Sequence, residues 1–309
     1  MGLRSQRPRG SCPEFGPPER RPDGSETFVK FSRPSDVGGT ARPRAAGGLA
    51  VTRLRRAQTA RAVCPGASDI HASYVYPFAA MDRDYLSVAK ALDHALLKPT
   101  LTDAELAAGC QLAREHQVAS VCIVPHALRR CAELLAGSGV EPSTTIGFPH
   151  GAAATRVKVV EAEQALADGG TELDMVVNIG KVLGGDRDYV RAEIGAVLAV
   201  TRGAGKKLKV IFENAYLGDG HKRMLCELCS ELAVDWVKTS TGFGPSGANL
   251  DDLRLMREHT PPSVQVKASG GIRSLAQVRQ ILALGVSRIG TSSTSEILAE
   301  LRSSLAHRA

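Results

Sequence analysis

No run of about 18 consecutive apolar residues occurs anywhere in the 309-residue chain, so no membrane-spanning helix is expected. Cysteines are few and irregular: seven, at 12, 64, 110, 122, 131, 226 and 229, an odd number at uneven spacing. With no secretory signal, that pattern argues against a disulfide framework and for reduced thiols in the cytoplasm. Cys226 and Cys229 form a CxxC, but they stand in the helical stretch HKRMLCELCSELA. No second Cys or His pair completes a tetrahedral set, so they read as helix residues and no metal is expected.

Lysine is nearly absent from residues 1–80, where Lys30 stands alone, and the aromatics there number six. The segment instead holds 13 Lys or Arg against 6 Asp or Glu, with 9 Pro and 9 Gly. It shows no sustained period of 2 or 3.6 and reads as a disordered basic extension. A transit peptide is opposed by the interspersed Glu14, Glu19, Asp23 and Glu26. A nucleic-acid-binding arm is opposed by the near absence of Lys. A non-functional extension, or a start codon placed too early with Met81 as the true first residue, is the favoured alternative. The other 229 residues carry 26 charges of each sign, so the net +7 belongs to the extension and says nothing about what the folded part binds.

From residue 81 to 309 the chain alternates short apolar runs with amphipathic stretches. The runs lie near Leu92–Leu97, Ser120–Val124, Ser143–Phe148, Glu172–Ile179, Leu208–Glu213, Trp236–Ser240, Val264–Ala268 and Arg288–Thr291. Helical patterns cover Thr102–His116, Arg156–Asp168, Tyr189–Thr201 and Leu275–Leu284, with Thr102, Asn249 and Ser274 as capping residues and Gly169 and Gly285 past helix ends. Continuously apolar strands separated by helices imply a parallel sheet buried on both faces. Eight such units predict an α/β fold of the (β/α)8 TIM-barrel type. A doubly wound open sheet is the runner-up, but no GxGxxG follows the first strand.

In such a barrel the chemistry sits at the C-terminal ends of the strands, so the ionisable residues that interrupt apolar runs are the candidates. Lys238 stands in WVKTSTGFG, Lys267 in VKASGGIR and Asp174 in ELDMVVN. Inward-pointing side chains near the barrel mouth converge, so these three are expected in one desolvated pocket. A free lysine amine is protonated at neutral pH and not nucleophilic. Burial and a neighbouring ammonium both disfavour the charge, so one of the pair is expected to condense with a carbonyl and form an imine. Asp174 and the other lysine then move protons.

Ser269-Gly270-Gly271-Ile272-Arg273 follows the seventh strand, and Gly290-Thr291-Ser292-Ser293 ends the eighth and leads into a helix. Exposed backbone N–H groups and a helix N-terminus favour an anion, and the loops after strands 7 and 8 are this fold's recurrent phosphate site. Gly242 adds another N–H. The expected substrate is a small phosphorylated carbonyl compound. Asp93 and His94 are read as ending a short helix and beginning the first strand, with Asp93 contacting substrate hydroxyls or capping backbone groups. Cys122 is placed on the barrel interior, and His150 in a loop after the third strand in a structural role.

The segments DHALLKP (93–99), SVCIVP (120–125), TIGFPHGA (145–152), ELDMVVNIG (172–180), LKVIFE (208–213), WVKTSTGFGPSGA (236–248), VKASGGIR (266–273) and RIGTSS (288–293) resemble the deoxyribose-phosphate aldolase family, in the family's order. The resemblance implies a lyase that reversibly cleaves 2-deoxy-D-ribose 5-phosphate, in deoxyribose phosphate catabolism. It also implies Lys238 as the Schiff-base lysine, Lys267 as its pKa partner and Asp174 as proton donor and acceptor. Gly242, Gly270, Gly271, Gly290, Ser292 and Ser293 would hold phosphate, while Asp93 and Cys122 would face the substrate. It implies no metal or organic cofactor, and family habit suggests a homodimer. Ala95 stands where the family usually has Thr, and Asn214-Ala215 where Thr-Gly is typical. Two rivals are an aldolase for another phosphorylated sugar and a scaffold whose basic extension recruits nucleic acid.

Overall fold

The computed structural model describes residues 83–307; the expectations for residues 1–80 and Met81 lie outside them. A short helix α1 (Arg83–Ala89) leads into β1 (Leu92–Leu96). Then follow α2 (Asp103–His116), β2 (Ser120–Ile123), α3 (Leu128–Leu135), β3 (Glu141–Ile146), α4 (Thr155–Ala167) and β4 (Glu172–Val176). After α5 (Ile179–Leu183) and α6 (Arg187–Gly203) come β5 (Lys207–Ile211), α7 (Asp219–Glu231), β6 (Trp236–Lys238) and α8 (Leu250–Glu258). The chain closes with β7 (Gln265–Ser269), α9 (Leu275–Leu282), β8 (Arg288–Thr291) and α10 (Thr294–Ala306). All eight strands are parallel, and β8 pairs with β1 to close the barrel.

The expected caps are present. Thr102 and Ser274 each complete a capping box, and Asn249 Oδ1 accepts the Asp252 N–H. Several strands end earlier than their apolar runs. β4 stops at Val176, and Ile179 of the same run opens α5. β6 stops at Lys238 although Thr239 and Ser240 remain buried. Hydrophobicity reports burial, while the ladder ends where the backbone turns into a loop. Asp93 and His94 correct the sequence reading, because α1 closes at Ala89 and both residues lie inside β1.

Strand alternation sorts the core. One set of side chains, including Leu92, Val121, Leu173, Met175, Val210, Val237, Val266 and Ile289, is fully buried in the apolar cluster between sheet and helices. The opposite set points into the barrel and includes the ionic side chains Asp93, Glu172, Asp174, Lys209, Lys238, Lys267 and Arg288, all buried. The register places Lys238 beside Lys267, Asp174 beside Lys209, and Lys267 beside Arg288. The helices therefore supply the apolar burial, and the barrel interior carries charge.

Candidate active site

The ionic interior is one connected network. Lys238 Nζ donates to Asp174 Oδ2 at 2.8 Å, and Lys267 Nζ reaches the same oxygen at 2.7 Å. Lys267 also pairs with Asp93 Oδ2 at 2.5 Å. Beneath them, Lys209 Nζ lies 2.8 Å from Asp174 Oδ1 and 2.6 Å from Glu172 Oε2. Arg288 bridges Asp93 at 2.6 Å and Glu172 at 3.0 Å. The Trp236 ring underlies this lower tier, with the Arg288 guanidinium 4.9 Å and Lys209 Nζ 5.7 Å from its centroid.

Among the described residues the network counts four cationic side chains, Lys209, Lys238, Lys267 and Arg288, against three carboxylates, Asp93, Glu172 and Asp174. Buried charge is tolerated when paired, so one cation is in surplus. Lys209, Lys267 and Arg288 each touch at least two carboxylates, whereas Lys238 has only one, through an oxygen it shares with Lys267.

The proton affinities follow the same division. Burial pushes the Lys238 amine below its ordinary pKa; the Asp174 carboxylate pulls it back, and the Lys267 ammonium adds to the depression. For Lys267 burial acts in the same sense, but the Asp174 and Asp93 carboxylates overcome it and raise its pKa. Lys209 and Arg288 are raised too, each against burial, by the carboxylates around them. Burial works to raise Asp174, yet the Lys209, Lys238 and Lys267 charges hold it well below the usual carboxylate range. Lys238 is thus the one lysine of the network that the surroundings drive toward the free amine.

A cavity of about 300 Å³ opens over Lys238 and Lys267. Its wall includes Asp93, Cys122, Gly242, Gly270, Gly271, Gly290 and Ser292. Asp174 is not on that wall; fully buried, it lies behind the two lysines it bonds. Ser293 is the N-cap of α10, one residue beyond the wall, and its N–H is taken by Thr291 Oγ1 at 2.9 Å. Cys122 Sγ lies 4.0 Å from Asp174 Oδ2, with burial raising its thiol pKa. His150 is exposed and borders a separate hollow.

Gly242, Gly270 and Gly271 have φ of +88°, +89° and +77°, a region that favours glycine and that turns the backbone of both loops along the cavity. Gly290 serves by absence of a side chain. A Cβ there would lie 2.5 Å from Ser269 Oγ and 3.3 Å from Lys267 Cε. Asp93, for which the sequence left two roles open, caps no backbone group in the described residues; its oxygens hold Lys267 and Arg288.

Sequence reasoning missed Lys209, Glu172 and Arg288. Lys209 interrupts the apolar run of LKVIFE, so the filter that found Asp174 had the signal for it, while Glu172 and Arg288 only open the runs ELDMVV and RIGTSS. Glu172 and Arg288 open their strands, away from the mouth where the search was directed, whereas Lys209 lies level with Asp174 and was passed over. Lys98 and Thr241 also line the cavity unforeseen, and Arg273 of the expected phosphate loop joins them. Of the two departures from the family pattern, Ala95 is on the cavity wall. Asn214 is buried elsewhere, donating to Met256 Sδ at 3.3 Å.

The model of the DeoC/LacD family aldolases matches residues 87–292. A deoxyribose-phosphate aldolase of Rhodopirellula baltica is 59% identical over 224 residues, covering 72% of this chain and 93% of that protein. One from Caldanaerobacter subterraneus is 43% identical, covering 71% and 95%. Among solved structures, the deoxyribose phosphate aldolase of Aeropyrum pernix, described as tetrameric, superposes with a TM-score of 0.65 at 30% identity, over 70% of this chain and 91% of that one.

Proposed function

The chain belongs to the DeoC/LacD family of aldolases, and from that premise we propose that it cleaves 2-deoxy-D-ribose 5-phosphate reversibly to D-glyceraldehyde 3-phosphate and acetaldehyde. The observation that carries the reading is the surplus cation of the barrel interior, which drives Lys238, on the floor of the cavity, toward the free amine.

The neutral Lys238 Nζ adds to C1 of the open-chain aldehyde and gives a carbinolamine. Loss of its hydroxyl as water leaves the protonated imine. A base takes the proton of the C3 hydroxyl, the C2–C3 bond breaks, and its electron pair passes into the iminium. Glyceraldehyde 3-phosphate departs, and the enamine of acetaldehyde stays on Lys238. Protonation at C2 and hydrolysis of the iminium release acetaldehyde and regenerate the amine. Asp174 and Lys267, joined to each other and to Lys238 through one carboxylate oxygen, carry the protons, with water between them and the substrate. The phosphate end lies against the N–H groups of Gly242, Gly270 and Gly271 and beside Ser292 and Ser293 at the start of α10. Arg273 and Lys98 at the rim add positive charge. The chemistry calls for neither a metal nor an organic cofactor.

Borohydride reduction in the presence of substrate, followed by peptide mass mapping, tests the assignment. A stable adduct is expected on Lys238 and none in Lys238→Ala. An adduct on Lys267 in the wild-type enzyme would overturn it. A second reading, an aldolase for a different phosphorylated sugar, rests on Ala95, which presents a methyl to the cavity; relative rates on deoxyribose 5-phosphate and longer ketose phosphates separate the two. No helix of the described residues is long and apolar enough to cross a membrane. A charged sugar phosphate does not cross one unaided either, which supports a cytoplasmic site of action. A homo-oligomer is part of the reading, and sedimentation distinguishes the dimer proposed here from the tetramer described for the Aeropyrum relative.

A further inference from the structure

Glu213 follows β5 with φ 59° and ψ 62°, left-handed for a non-glycine residue. Such strain persists only where the surroundings over-determine it. The side chain is 2% exposed. It reaches across to the loop after β6, where Oε2 accepts the Thr241 N–H at 3.2 Å and also the Thr241 hydroxyl. Thr241 Oγ1 in turn accepts the Phe243 N–H at 3.0 Å. The next residue of the left-handed turn, Asn214, donates its N–H to Thr239 O at 2.9 Å. A Cβ on Gly244 would sit 3.1 Å from the Glu213 carboxyl, so the loop closes directly over that group.

This chain of contacts consumes the N–H groups of Thr241 and Phe243. The Gly242 N–H between them bonds to none of the described residues. Thr241, Gly242 and Phe243 all line the cavity above Lys238, whereas Glu213 lines a neighbouring hollow of about 250 Å³ behind the loop. Glu213 therefore acts on the cavity only through the loop it holds.

We propose that Glu213 is a positioning residue for phosphate recognition: its carboxyl group clamps Thr241 so that the Gly242 N–H points at the substrate's phosphate. The proposal rests on the phosphate reading above and adds the residue that sets the donor's place. Its effect is expected at the phosphate end, because the Glu213 and Thr241 side chains bond each other and the Phe243 N–H, and neither bonds a side chain of the lysine network.

The test compares wild type, Glu213→Ala, Glu213→Gln and Thr241→Val on three readouts. These are kcat/KM for 2-deoxyribose 5-phosphate relative to 2-deoxyribose, inhibition by inorganic phosphate, and borohydride capture of acetaldehyde. In Glu213→Ala the preference for the phosphorylated sugar should fall roughly ten- to hundredfold, mostly through KM, as expected for a donor misplaced by about 1 Å. Phosphate inhibition should weaken in step, while capture of acetaldehyde keeps its wild-type rate and pH profile. Glu213→Gln, whose amide oxygen still accepts, should restore the preference. Thr241→Val removes the clamped hydroxyl from the other side, should act like Glu213→Ala, and keeps the test open if that variant does not fold. An unchanged preference in both Glu213→Ala and Thr241→Val would overturn the inference. So would an equal loss on both sugars together with loss of acetaldehyde capture, the mark of a purely structural residue. A wild-type enzyme with no preference for the phosphorylated sugar and no phosphate inhibition would instead overturn the phosphate reading itself.

Discussion

Replacing Lys267 with Leu should leave the barrel folded and move the enzyme's working range to higher pH. Lys238 and Lys267 bond the same Asp174 oxygen at 2.8 and 2.7 Å, so their nitrogens are no more than the sum, about 5.5 Å, apart. At that separation two unit charges repel by roughly 3 kcal/mol at an effective dielectric constant of about 20, or about two pKa units. Removing the Lys267 ammonium lifts that repulsion and frees the shared oxygen for Lys238 alone, and both changes raise the Lys238 pKa. A base with a raised pKa keeps its proton to higher pH. The acid limb of kcat/KM should therefore shift upward by about two units, and activity near neutrality should fall up to about a hundredfold. The variant network holds three cations and three carboxylates, so its charges pair once Lys238 is protonated, which favours retention of the fold. The assay is kcat/KM against pH for wild type and variant, with thermal unfolding alongside. An acid limb that stays in place would refute the pKa-setting role. A lower rate with no shift would reduce Lys267 to a proton carrier.

Three further outcomes follow from the geometry. Gly290→Ala should cost activity while the protein still folds, because the added methyl meets Ser269 Oγ at 2.5 Å and Lys267 Cε at 3.3 Å; steady-state kinetics beside circular dichroism would show it, and wild-type kinetics would contradict the close packing of Lys267. Lys158→Met should destabilise by about 3–5 kcal/mol, since it leaves Glu193 buried without its cation and strips a donor from Val176 O; urea denaturation measures it. Deleting residues 1–80 should leave aldol activity intact, and its loss would show that the extension takes part in folding or catalysis.

Most of the barrel was legible in the sequence because its strands are covered on both faces and read as apolar runs, with capping residues marking the helix starts. The active lysines were legible for the converse reason: Lys238, at the end of β6, and Lys267 and Asp174, in mid-strand, break those runs. Glu172 and Arg288 open their strands at the opposite end, where a search guided by the location of active sites did not look, and Lys209, level with Asp174, breaks its run as clearly but was passed over. The Glu213–Thr241 contact joins residues 28 apart in the chain, through a left-handed turn that no local pattern announces. Asp93 was misplaced at a helix end because nothing in LDHAL marks where the preceding turn finishes.

The charged lining of the barrel inverts the usual relation between robustness and usefulness. Buried ion networks hold a fold together less well than apolar side chains of equal volume, so swapping the whole set for leucine-like residues would be expected to yield a hardier protein with no aldol chemistry. Heat selection applied without an activity screen would therefore discard the functional residues first, and the presence of seven such side chains in so buried a place reflects what the molecule does rather than how firmly it stands.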